Sequence, residues 1–161
     1  MKLLKTISAA SLALAAAAAF AQGVKVEAPW VRGTVPAQTA TGAFMRLTPE
    51  TDLRLVAARS PVAAVVEIHE MTMVDQVMRM RAIPGLELPA GRATELKPGG
   101  YHVMLMQLRQ VLKGGETVPL TLEFQDASGK RFTQEVQAPV TALGAGNAAP
   151  KPATGHGGMK H

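Results

Sequence analysis

Between Val24 and about Pro139 the chain alternates short apolar, β-prone runs with Gly, Pro and Asp punctuation. Runs of this length bounded by turn residues predict strands. They fall at Val24–Arg32, Thr41–Leu47, Leu53–Ala58, Ala63–Met73, Val77–Ile83, Thr94–Lys97, Tyr101–Arg109, Thr117–Phe124 and Arg131–Ala138. The breaks between them include Pro84-Gly85, Pro98-Gly99-Gly100, Gly114-Gly115 and Ala127-Ser128-Gly129. After the first two dozen residues no window sustains the 3.6-residue apolar period of a helix. The pattern predicts an all-β fold, a sandwich or small barrel, in one domain over 22–142.

Both ends depart from this pattern. Lys2 and Lys5 precede an uncharged, Ala-rich run that closes on Ala19-Phe20-Ala21. A basic start, a short apolar middle and an A-x-A end define a secretory signal peptide. Cleavage is expected after Ala21, with the mature chain in the periplasm and without a membrane span. From Leu143 to His161 the chain turns Gly/Ala/Pro-rich. Such a segment buries too little surface to offset the entropy of ordering, and a flexible tail is expected.

Composition narrows the function classes. Without Lys2 and Lys5 there are 15 basic and 12 acidic residues, scattered rather than striped, with one Trp and one Tyr. No nucleic-acid footprint is present. The chain has no cysteine. That removes a disulfide framework, the thiolate of a blue-copper electron carrier and the acceptor of a bacterial lipid anchor. Serines beyond the signal region are Ser60 and Ser128, both at turns, and no nucleophile–base spacing suggests an enzyme.

Methionine and histidine change the picture. Met71, Met73, Met78, Met80, Met104 and Met106 crowd one window that His69 and His102 nearly bracket. If the turn after Ala63–Met73 centres between Val74 and Asp75, His69 faces Met80 and Met71 faces Met78. Strand alternation puts His102, Met104, Met106 and Leu108 on one face and Val103, Leu105 and Gln107 on the other. It also puts Glu67, rather than Glu70, on the face of His69, as the better partner for that ring. Two imidazoles and two thioethers form a soft, neutral ligand set suited to Cu(I), whereas zinc prefers thiolate, imidazole and carboxylate. Methionine is equally an ordinary gap-filler. Met71, Met73, Met78 and Met106, taken singly, are read as core or rim packing.

The spacing His69-x10-Met80-x21-His102-x-Met104 matches the ligand motif of the periplasmic copper chaperones of the PCu(A)C type. The flanking text resembles that family as well: Val65-Val66-Glu67-Ile68-His69-Glu70-Met71, Val77-Met78-Arg79-Met80 and Leu96-Lys97-Pro98-Gly99-Gly100-Tyr101-His102-Val103-Met104-Leu105-Met106. The resemblance spans Val24 to Val140. It implies a cupredoxin-like Greek-key β-sandwich that carries Cu(I) on His69, Met80, His102 and Met104. It also implies delivery for assembly of the CuA centre of cytochrome c oxidase, with subunit II or another assembly factor as acceptor and a monomeric carrier. Some members carry a His/Met-rich C-terminal extension that binds a second copper as Cu(II). The tail's His156, Met159 and His161 look like a sparse version of it. Two other readings stay open on sequence: a copper buffer or resistance protein without a dedicated acceptor, and a metal-free interaction module.

Overall fold

The computed structural model describes residues 23–144. Ten strands occupy them: β1 (Val24–Arg32), β2 (Ala40–Pro49), β3 (Leu53–Arg59), β4 (Ala63–Val74), β5 (Val77–Ala82), β6 (Leu86–Leu88), β7 (Thr94–Leu96), β8 (His102–Leu108), β9 (Thr117–Asp126) and β10 (Arg131–Thr141). The expected signal peptide lies outside the described residues, as does the expected C-terminal tail beyond Gly144. Among the described residues no helix is long and apolar enough to cross a membrane.

The strands hydrogen-bond along one path, β5-β4-β8-β2-β1-β10-β9-β3-β6, with β7 added to β2. A parallel pairing of β1 with β10, Val31 opposite Val140, joins the two halves of the path. Their apolar faces close on each other. Val31, Leu47, Val103 and Leu105 from one half and Leu55, Leu120, Leu122 and Phe124 from the other are fully buried in a common core. Alternation explains the choice of residues. In β9 the side chains of Val118, Leu120, Leu122 and Phe124 point inward, while their neighbours are only partly covered or exposed.

The same alternation fixes the outer face of β8. Val103 and Leu105 enter the core at 0% exposure, which turns His102, Met104 and Met106 to the opposite side of the sheet. The outer face of β4 carries Glu67, His69 and Met71, because Ile68 points into the core. On β2 the outer face carries Gly42 and Phe44, beside the core residues Ala43 and Met45.

Two details depart from the sequence reading. Leu86–Leu88 forms a strand that the pattern did not predict; it is only three residues long and gains its shape by pairing with Leu53–Leu55. The β4–β5 hairpin turns on Asp75 and Gln76 rather than between Val74 and Asp75. Both turn residues have positive φ, 51° and 62°, as a two-residue primed turn demands. Val74, β-branched, resists that conformation and stays in the strand opposite Val77. Met71 therefore faces Met80, Met73 faces Met78, and His69 faces Ala82. The slip is two residues, so every side chain keeps its face.

Candidate metal centre

His69 and His102 are register partners across β4 and β8, with ring centroids 5.7 Å apart. Both are sunk in the sheet face, at 8% and 4% exposure. Glu67 stands opposite Met104 in the same register, and Met71 opposite Met80 in the next. Three neighbouring strands thus bring His69, Met80, His102 and Met104 onto one face. His69 and Met80 are diagonal neighbours, not the direct pair expected from sequence.

The ring of His102 is oriented from its own strand entry. Lys97-Pro98-Gly99-Gly100 forms a tight turn closed by Gly100 N–H donating to Lys97 C=O at 3.0 Å. Pro98 supplies the fixed φ, and Gly99 takes φ +81°. The Gly100 carbonyl then accepts from Met71 N–H at 3.2 Å and from His102 Nδ1 at 3.0 Å. A carbonyl only accepts, so Nδ1 of His102 carries the proton and Nε2 presents its lone pair.

His69 is fixed the other way round. Its Nε2 lies 2.7 Å from a Glu67 carboxylate oxygen, which makes Nε2 the donor. Nδ1 is left as the lone-pair atom. It is buried and has no hydrogen-bond partner among the described residues. A buried polar atom without a partner costs about 1–3 kcal/mol, and a metal ion would satisfy this one.

In front of the histidines opens a half-enclosed pocket of about 290 Å³ whose walls include Met71, Met80, Met104, His102, Phe44 and Arg32. His102 lines the pocket and His69, its cross-strand partner, does not. Gly42 makes room for the floor: a Cβ there would lie 2.6 Å from the tip of the Phe44 ring. Phe44 in turn packs against Trp30 in a tilted pair, centroids 4.4 Å apart, with the Arg32 guanidinium 5.6 Å from its ring centroid, inside cation–π range.

The electrostatics favour neutral donors. Burial holds the His102 imidazole below its ordinary range, and the charge of Arg32 pushes it the same way; the Gly100 hydrogen bond opposes them. His102 is therefore neutral near pH 7. Among the described residues no cluster of three or more His, Cys, Asp or Glu side chains could hold a metal. An ion between these imidazoles must draw on thioether sulfur, which selects soft ions. The nearby Arg32 penalises a dication about twice as much as a monocation.

Sequence reasoning passed over Met71 as packing, although it lines the pocket. It also missed Gly42, Phe44 and Arg32, which carry no local signal. Met73 and Met78 are not core residues: they stand 65% and 44% exposed. The second candidate set, His156, Met159 and His161, lies outside the described residues.

A β-sandwich with a soft-donor pocket on one outer sheet face is the class that fold and site define. The LpqE-like family ("Putative lipoprotein LpqE-like") matches residues 24–140. A relative from Leifsonia xyli subsp. xyli (strain CTCB07), "Putative lipoprotein Lxx21020", is 33% identical over 128 residues, 79% of this chain and 75% of that protein. The chain belongs to the LpqE-like family. Its 161 residues include no cysteine.

Solved structures place the fold among PCuAC domains. The apo PmoF2 PCuAC domain is 25% identical with a TM-score of 0.59, covering 78% of this chain and 95% of that one. The solution structure of apo-DR1885 from Deinococcus radiodurans is 33% identical with a TM-score of 0.56, covering 88% and 94%. That of CuI-DR1885 is 34% identical with a TM-score of 0.51, covering 75% and 76%.

Proposed function

We propose that this chain is a periplasmic Cu(I) chaperone that holds its cargo ion on His69, Met80, His102 and Met104. The observation that carries the reading is the pairing of two buried imidazoles, each with one nitrogen tied by a hydrogen bond and the other free, beside two thioethers at a pocket rim. Histidines so oriented are ready ligands, because each hydrogen bond fixes which ring nitrogen faces away from its partner. The likeness to CuI-DR1885 supports the same ion.

The arrangement suits transfer as well as binding. Met80 is 48% exposed, so an acceptor's donor atom can reach the ion before the carrier's sulfur leaves it. All four ligands are neutral when bound, so the ion passes without a protonation step. The basic, Ala-rich start ending at Ala21 supports export to the periplasm, as does the envelope character of the family's name. The acceptor of choice is the CuA site of cytochrome c oxidase subunit II, for which the sequence resemblance argues.

A competition titration against a colorimetric Cu(I) chelator, followed by X-ray absorption, tests the site. One tight Cu(I) per chain with sulfur and nitrogen neighbours is expected; an oxygen–nitrogen shell would refute the thioethers. Mixing the loaded chain with the apo CuA domain then tests delivery. Retention of copper by the donor would leave a buffer rather than a chaperone.

A further inference from the structure

We propose that the outer half of the β4–β5 hairpin carries a second, weaker Cu(I) site, the thioether pair Met73–Met78, through which the ion enters and leaves the pocket. The proposal rests on the pocket being a Cu(I) site and adds a place on the path to it.

Met73 and Met78 are direct register partners, one step from the closing pair Val74–Val77. Ile83 N–H donates to Ile68 C=O at 2.9 Å, so the pair Ile68–Ile83 is of the hydrogen-bonded kind. Pairs alternate along an antiparallel ladder. Met71–Met80 and Met73–Met78 are therefore both of the other kind, with Cα atoms about 4.5 Å apart and side chains closer together. Two residues of strand separate the rungs, about 7 Å. The four methionines make two successive thioether rungs on one face, and the inner rung lines the pocket.

Packing does not account for the outer rung. At 65% and 44% exposure, Met73 and Met78 fill no core gap. Met78 stands on β5, the edge strand of the sheet path, with Met73 beside it on β4, and apolar side chains at such an edge invite aggregation. Thioether sulfur is the feature that distinguishes them from any other apolar choice. Two sulfurs without imidazole bind Cu(I) weakly, which suits a stopping point. The exchange balances simply: a Cu–S bond to one rung forms as a bond to the other breaks. Copper remains Cu(I) and no proton moves, because thioethers do not titrate.

The test is NMR of the full chain labelled at the methionine methyls, titrated anaerobically with Cu(I). The first equivalent should shift Met80 and Met104, and the second should shift Met73 and Met78. A Met73→Leu/Met78→Leu variant should bind the first equivalent with unchanged affinity and lose the second shift at the hairpin. It should also release copper to a chelator several-fold more slowly in stopped flow. Unmoved Met73 and Met78 methyls, or a second equivalent seen only at Met159, would overturn the proposal; so would unchanged release from the variant. A first equivalent that left Met80 and Met104 unmoved would count against the pocket, whereas shifts at Met73 and Met78 would still uphold the outer pair.

Discussion

Glu67 and His69 lie two residues apart on one strand face, and a Glu67 carboxylate oxygen sits 2.7 Å from His69 Nε2. A carboxylate in that position fixes the ring's tautomer and raises the basicity of the opposite nitrogen. Replacing such a partner costs about 10–100-fold in metal affinity. Glu67→Gln should therefore weaken Cu(I) binding by at least about tenfold, while far-UV circular dichroism stays unchanged. Parental affinity in the chelator competition would mean that His69 does not bind through Nδ1.

Met80→Leu and Met104→Leu separate sulfur from shape. Leucine nearly conserves volume, so each variant should lose less than about 1.5 kcal/mol of stability. Each should also lose one sulfur from the copper X-ray absorption signal, with a clear fall in affinity. A variant that bound like the parent would remove that residue from the ligand set. Met80 is the more exposed of the two, so its variant should show the smaller change in urea midpoint.

Gly42→Ala probes the pocket floor. The added Cβ would sit 2.6 Å from Phe44 Cζ, and Phe44 is buried and packed against Trp30. Overpacking of this kind costs about 1–3 kcal/mol. Trp30 is the chain's one tryptophan, so its emission should report both the displaced ring in the native state and the lowered urea midpoint. An unaltered spectrum with parental stability would show that the ring moves freely.

The apo protein should lose stability in mild acid through His102. Burial lowers its folded-state pKa, while in the unfolded chain the imidazole titrates near 6.5. Between those two values the unfolded chain binds a proton that the native state does not, so falling pH favours unfolding. This contribution is complete above about pH 6.5. It declines as the pH falls towards the folded value and is constant below it. Urea midpoints across this range should slope downward with acid for the parent and less steeply for His102→Gln. Equal slopes would mean that His102 gains its proton as readily folded as unfolded.

Local patterning made most of the strands legible, because each is bounded by residues with a conformational reason to stop. Leu86–Leu88 escaped notice because three residues hold too little period; its partner in β3 gives it definition. The hairpin illustrates a different limit. Counting outward from an assumed turn put His69 opposite Met80, but the positive φ of the turn falls on Asp75 and Gln76 rather than on β-branched Val74, which moved the axis by one residue. Faces survived since the resulting register differs by an even number. The histidine and methionine positions could thus be grouped from sequence. Gly42, Phe44 and Arg32 could not, because they reach the pocket only through the pairing of β2 with β8 and β1.

Strand position divides the proposed ligands mechanically. His102 and Met104 ride on β8, held on both sides by β4 and β2, whereas Met80 rides on β5, which has one neighbour and a free edge. Opening free energies rank in that order, since edge elements with exposed backbone bonds fray first. Amide hydrogen exchange should be fast along β5 and slow along β8. The ion would then sit between a fixed jaw and a hinged one, and fraying of a single strand would withdraw Met80 while both imidazoles stayed in place.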